Sequence, residues 1–292
     1  MSPLLTLTVH EALRAAMRAG ATSVGCSLNL RLTTTTVGVD QSGWEHAGQR
    51  YPWLDVCKDR TIYHWDGAAF WPVSRYTTSL IKLVPTQWGP PTFEIDGVKM
   101  LPTASVSPWE DAGRKVDLIA PRGKVILDTC GGLGYFAAWC LRGEAARVLS
   151  FEKNPDVIWL RSLNPWSPEG RSDAGSDAAA RLSLTTGDIG EQIAALPDAS
   201  VDAILHDPPR FGIAGELYSQ TFYGQLARVL RPRGRLFHYT GAPNKLTSGR
   251  DVPGEVANRL RLAGFFTEMT GDGVLAVRGR TRQVLDEAGR TA

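Results

Sequence analysis

The chain has 292 residues, 43% hydrophobic and 21% charged, which suits a globular protein with one large domain or a large one and a small one. No run of about 18 apolar residues occurs, which excludes a helical membrane span. Net charge is +2, and residues 1–110 carry nine basic against nine acidic side chains, unlike a dedicated RNA-binding module.

The first segment, MSPLLTLTVHEALRAAM, lacks the basic start and apolar core of a signal peptide, so a cytoplasmic protein is expected. It reads as a short helix with Leu13, Ala16 and Met17 on one side. From there to about Pro102 the pattern is β-like, with Thr- and Val-rich alternation broken by DQSG, WGPP and IDGV. Six of the nine tryptophans fall in residues 1–110. They suit the core of a small β-rich domain, or one or two of them line a pocket where a ring meets a cation. The expected organisation is a β-rich substrate-covering domain at 1–102 and a second domain at 103–292.

Beyond Pro121 the rhythm changes. Val125–Leu127, Val148–Phe151, Leu182–Leu184, Ala203–Leu205 and Leu236–His238 are short apolar runs separated by helix-length segments. That alternation predicts an α/β fold, a doubly wound parallel sheet covered on both faces. The polar stretch Ser167–Ala178 reads as a surface loop. Residues 221–292 hold twelve basic and six acidic side chains, spaced as on solvated strand and helix faces. The four cysteines form no CxxC pair and the five histidines have no ligand spacing, so neither a disulfide framework nor a metal site is expected.

In an open parallel sheet, ligands bind beyond the carboxyl ends of the strands, so the residues after each apolar run matter most. The first run ends in Asp128-Thr129-Cys130-Gly131-Gly132-Leu133-Gly134, whose glycines let a ligand approach the main chain and open a helix N-terminus. The second ends in Glu152 and Lys153, the acid placed to accept two hydrogen bonds from a ribose diol. After the third, Asp188 can accept from an adenine amino group while Ile189 packs on the ring. After the fourth, Asp207, Pro208, Pro209 and Arg210 form a stiff turn. Each acid alone has a plain structural role available; four in this order point to one nucleoside ligand.

This set resembles the class I S-adenosylmethionine-dependent methyltransferases over about residues 102–266. Cys130 stands where their first glycine is more usual, and DPPR matches their fourth motif. The segments LVPT, DGVKM, PWED, LNPWS and HDPPRFGIAGELYSQTFY look like a little-characterised group of methyltransferases best represented in archaea. The resemblance implies a Rossmann-like methyltransferase sheet and S-adenosyl-L-methionine as cofactor, held by Asp128, Cys130, Gly132, Gly134, Glu152, Lys153, Asp188, Ile189 and Asp207.

Which atom attacks is open at this level. RNA uracil-C5 methyltransferases carry a similar DPPR but need a later cysteine, and none follows Cys140. The Leu-Tyr-Ser to Gly-Arg-Leu spacing in residues 217–236 is similar to aminopropyltransferases and to methyltransferases acting on aminomethyl groups of tRNA, which handle aliphatic amines. An amine needs a proton acceptor. Asp207 is the first choice, with Glu216, His206, His238 and Tyr239 also available, and only one of the last two can face the cleft. The expected reacting residues are Asp207, Pro208, Pro209, Arg210 and Tyr239, with Trp109, His206, Phe211, Glu216 and Ser219 on the substrate side. Methyl transfer to a small-molecule amine is expected. Attack at the cofactor's γ carbon with release of methylthioadenosine, tRNA or rRNA methylation, and binding without catalysis are the rivals. No membrane partner is expected, and oligomeric state is not legible.

Overall fold

The change of rhythm near Pro121 separates two kinds of sheet. The computed structural model describes residues 2–170, 180–241 and 251–279. These fall into two compact units: one of 1–114, 132–139 and 154–180, the other of 115–131, 140–153 and 181–292, each taken over its described residues. The units interleave along the chain instead of dividing at 102/103. Hydrogen bonds within the first unit account for this. Tyr135 donates to the Pro91 carbonyl, and the Trp139 and Trp166 indoles donate to the carbonyls of Trp109 and Leu30.

In the first unit the N-terminal helix α1 (Leu7–Arg18) starts at Thr6, whose hydroxyl accepts from the Val9 N–H. Its Leu13 is buried, with Ala16 and Met17 packed beside it. Three small antiparallel sheets follow. One joins β1 (Leu4–Leu5), β6 (Tyr63–Trp65) and β7 (Phe70–Pro72). A second joins β2 (Ser23–Cys26), β3 (Thr35–Asp40), β4 (Gly43–His46) and β5 (Gln49–Tyr51). The third joins β8 (Ser74–Tyr76), β9 (Leu80–Val84), β10 (Thr92–Ile95) and β11 (Val98–Lys99). Trp44 stacks on Tyr51 with ring centres 4.3 Å apart, and Trp65 and Phe70 pack beside them. So Trp44 and Trp65 are core residues, whereas Trp71 and Trp88 are exposed.

The second unit is built on seven strands: β12 (Val125–Asp128), β13 (Arg147–Glu152), β14 (Leu182–Thr186), β15 (Val201–His206), β16 (Leu230–Tyr239), β17 (Phe265–Thr270) and β18 (Gly273–Arg278). Their order in the sheet is β14-β13-β12-β15-β16-β18-β17. The first five are parallel, as the apolar runs predict. The last two form an antiparallel hairpin that the sequence pattern does not announce, with β18 beside β16. Buried residues include Leu127, Ile204, Leu226, Leu236, Leu260 and Val274, drawn from strands and covering helices alike. Those helices include α6 (Gln220–Val229) and α7 (Val252–Leu262), capped by Ser219 and Asp251. Helices α2 (Pro108–Ile119), α3 (Tyr135–Arg142), α4 (Pro155–Leu163) and the short α5 (Ile189–Gln192) complete the described set used below. Of the expected loop Ser167–Ala178, Pro168–Gly170 is a single 3-10 turn, and 171–178 lie outside the described residues.

Candidate active site

Register brings the acids together. Asp128 at the end of β12 is level with Ser150 of β13 and Leu205 of β15. Glu152 and Asp207 therefore stand two residues further on, one on each side of it, at the carboxyl edge of the sheet. Asp188 follows β14, and the Gly187 N–H donates to the Glu152 carbonyl at 2.9 Å, tying the second and third tips. A parallel sheet leaves this edge open to a ligand.

Between these acids the chain makes the glycine turn. Gly132 has φ of +48° and Gly134 +79°, values that a side chain disfavours. A Cβ on Gly132 would lie 3.8 Å from Phe93, an ordinary van der Waals contact, so the positive φ and not crowding calls for glycine there. On Gly134 it would lie 2.6 Å from the Arg161 guanidinium carbon. That glycine is required by packing. Carboxylates at neighbouring tips of a parallel sheet fit a nucleoside ligand.

Several expected contacts are corrected. Asp128 is 1% exposed and accepts from the Ser150 hydroxyl at 2.8 Å, a buried bond that ties the end of β12 to β13. Ile189 is 3% exposed, buried in the sheet's core, with no open face for a ring to stack on. Ser219 accepts from the Phe222 N–H at 3.1 Å and so serves as the helix cap of α6. Trp109 packs among Tyr135, Trp139 and Trp166 inside the first unit, where it is an interior residue. Asp188 keeps an exposed edge but has two structural roles. Its Oδ1 caps α5 by accepting the Gly190 N–H at 2.8 Å, and its Oδ2 takes the Lys153 ammonium at 2.7 Å. Burial pushes this carboxyl up, but those bonds outweigh it and leave it below the usual range.

His206 is the plainest correction. It is fully buried, with Nδ1 2.7 Å from the Thr129 hydroxyl and Nε2 3.1 Å from the Leu217 carbonyl. A carbonyl only accepts, so Nε2 carries the proton and Nδ1 accepts from Thr129. Burial and then the neighbouring His238 push its pKa well down, keeping it neutral. Next to it, His238 donates from Nδ1 to the Tyr239 carbonyl at 2.8 Å and accepts at Nε2 from Tyr223 at 2.9 Å. Burial holds it near a pKa of about 4. The strand alternation thus sends His238 into the core and leaves Tyr239, its neighbour, half-buried.

At the tip of β15, Asp207 is half-buried, Pro208 buried, and Pro209 and Arg210 exposed. Tyr218 donates to the Pro209 carbonyl at 3.1 Å, and its ring meets Phe211 edge-on at 5.4 Å, so the turn is tethered from behind. Burial first, then the negative charge of Asp207, push the Tyr218 phenol upward, so it stays protonated. Cys130 is held as a thiol by burial and then by the Glu152 charge. Glu216 is exposed on the 3-10 turn Gly215–Tyr218. Sequence inspection missed Lys115, on α2. Its ammonium, almost wholly buried, lies 3.9 Å from the carboxylates of both Asp207 and Asp272 and 3.8 Å from the centre of the Tyr239 ring. The available signal was a lysine placed between Ala112 and Ile119 on an apolar helical stripe.

A family model described as S-adenosyl-L-methionine-dependent methyltransferase matches residues 158–246, which hold Asp188, Asp207 and Tyr239. An uncharacterised protein of Methanocaldococcus jannaschii is 42% identical over 203 residues, 68% of this chain and 67% of that one. The chain belongs to the S-adenosyl-L-methionine-dependent methyltransferases. A second relative, polyamine aminopropyltransferase 2 of Streptomyces coelicolor, is 34% identical over 124 residues, which are 41% of this methyltransferase-family chain and 22% of the relative. Among solved structures, a spermidine synthase in complex with the transition-state analogue AdoDATO superposes with a TM-score of 0.55 at 15% identity. It covers 70% of this chain and 73% of its own, a likeness of fold. The chain is thus an S-adenosyl-L-methionine-dependent transferase on a Rossmann-like sheet. Among its described residues no His, Cys, Asp or Glu cluster is placed to hold a metal ion, and no described helix is long and apolar enough to cross a membrane.

Proposed function

We propose that the chain transfers a methyl group from S-adenosyl-L-methionine to an amine nitrogen of a small molecule. One observation carries this: the half-buried Asp207 carboxylate stands at the carboxyl edge of the parallel sheet, at the tip of β15, with the buried Lys115 ammonium 3.9 Å away. When bound, the cofactor supplies an electrophilic carbon on its sulfonium sulfur. Glu152 accepts from the ribose hydroxyls. Asp207 holds the incoming amine and accepts its proton. Tyr218, held neutral, keeps the turn in place through the Pro209 carbonyl. Alignment of the amine with the reacting carbon then does most of the work, up to roughly 7–11 kcal/mol in well-oriented systems.

A small acceptor is supported by three described arginines of the basic C-terminal third that are engaged internally. Arg228 and Arg231 pair with Asp198 and Asp202 at 2.6 Å, and Arg235 donates to the Leu118 carbonyl. Phosphates would have to displace these bonds. A second reading, attack of the amine at the γ carbon, is favoured by the aminopropyltransferase among the relatives. The test is incubation of the protein with cofactor and a metabolite extract, followed by mass spectrometry of the nucleoside product. S-adenosylhomocysteine with an N-methylated amine is expected, methylthioadenosine would replace methyl transfer by γ-carbon attack, and neither product would refute both.

A further inference from the structure

Four residues far apart in the chain meet at the reaction edge of the second unit. Lys115 on α2 reaches Asp207 after β15, Asp272 in the turn between β17 and β18, and the ring of Tyr239 at the end of β16. The Lys115 side chain is only 2% exposed, against 20% for Asp207 and 21% for Asp272. Burying an ammonium is costly unless opposite charge and polarisable surface receive it. Here two carboxylates and an aromatic face do so. The Asp272 turn is itself pinned, because the Thr240 N–H donates to the Asp272 carbonyl at 3.0 Å. The ammonium is therefore a fixed charge held from three sides.

We propose that Lys115 is a positioning residue that holds the Asp207 carboxylate ionised and aimed at the acceptor amine, while Asp272 limits that hold by sharing the ammonium. The role rests on the amine-transfer reading above. Ionisable groups reach Asp207 from several elements: Lys115 from α2, Tyr218 from the 3-10 turn and Cys130 from the loop after β12, while Tyr239 of β16 and Asp272 act through Lys115. Tyr218 and Cys130 are both pushed toward their neutral forms, whereas Lys115 brings a positive charge to within 3.9 Å of Asp207. The arrangement has a chemical consequence for catalysis. A proton acceptor must be ionised before substrate arrives, and a permanent positive charge close to a carboxylate favours that form. The same charge lowers the proton affinity of an ammonium bound to Asp207, which makes the neutral nucleophile easier to reach.

The experiment is a pH titration of the full chain labelled with [γ-13C]aspartate, with the Asp207 signal assigned through Asp207→Asn. In Lys115→Met the Asp207 midpoint should rise by about one unit or more, a tenfold change in its protonation equilibrium. Lys115→Arg should restore it to within a few tenths, and Asp272→Asn, which removes the competing carboxylate, should lower it. A midpoint unmoved in Lys115→Met overturns the proposal. Where that variant fails to fold, a midpoint unmoved or raised in Asp272→Asn overturns it. The titration needs no substrate, so it stands apart from the amine reading, which fails if the wild-type protein methylates no amine. Where turnover is found, the acid limb of kcat/KM should move upward with the Asp207 midpoint in Lys115→Met, and a stationary limb refutes the catalytic role.

Discussion

Replacing His238 with glutamine should change how stability depends on pH more than it changes stability at neutral pH. His238 is fully buried, and its pKa falls from 6.5 to about 4 in the folded protein because burial disfavours the charged ring. The unfolded chain therefore binds a proton more readily than the folded one between those values. Stability is intact above pH 6.5, declines as pH falls toward 4, and loses nothing further to this group below that. A difference of about 2.5 units corresponds to about 3 kcal/mol. Glutamine retains one donor for the Tyr239 carbonyl and one acceptor for Tyr223, but does not titrate in this range. The gap between wild type and His238→Gln should thus close by about 3 kcal/mol between pH 7.5 and pH 4. His206, depressed in the same direction by burial and by His238, adds to the acid loss in both proteins and contributes little to the difference. Urea unfolding at pH 7.5, 6, 5 and 4 measures it. Far-UV circular dichroism is the probe of choice, because all nine tryptophans lie in the first unit and report on that unit. Parallel stability curves for the two proteins across the range would refute the assignment of His238 as a buried neutral ring.

Three further outcomes are expected. Gly134→Ala should lower the melting temperature by several degrees, since φ of +79° costs about 1–2 kcal/mol with a side chain. The new methyl would also press on Arg161, which is 1% exposed and paired with Glu169 at 2.8 Å, so an unchanged melt contradicts the packing described. Glu152→Ala should weaken S-adenosyl-L-methionine binding by roughly 10–100-fold, the loss of a hydrogen bond to a charged group, as read by calorimetry. Unaltered affinity would remove Glu152 from the site. Asp207→Asn should keep cofactor affinity within about twofold while turnover falls roughly 100- to 10,000-fold, and a fall in affinity alone would make Asp207 a binding residue and not a proton acceptor.

Much of the sheet and the order of its tips were written in the chain. Short apolar runs such as Val125–Leu127 and Val148–Phe151, separated by helix-length segments, read as strands of a parallel sheet, and parallel strands bring their carboxyl ends to one edge. Glu152, Asp188 and Asp207 follow from that rule, as does the glycine turn, because each depends on sequence distance from a strand end. The hairpin of β17 and β18 was less legible, since residues 265–278 mix exposed Phe266 and Met269 with polar residues.

Tertiary structure alone decided which side chains look inward and which partners they find. Asp128 and Ile189 read as ligand contacts yet are buried, and His206 read as a substrate group yet bridges Thr129 and Leu217. A shift of one residue on a strand reverses the face presented, so spacing cannot separate His238 from Tyr239. Lys115, Asp207, Tyr239 and Asp272 come together although up to 157 residues separate them in the chain, 272 less 115. Charges interact through space and not along the backbone. The chain therefore marks where each strand stops, and only the packed sheet establishes which charge each tip meets.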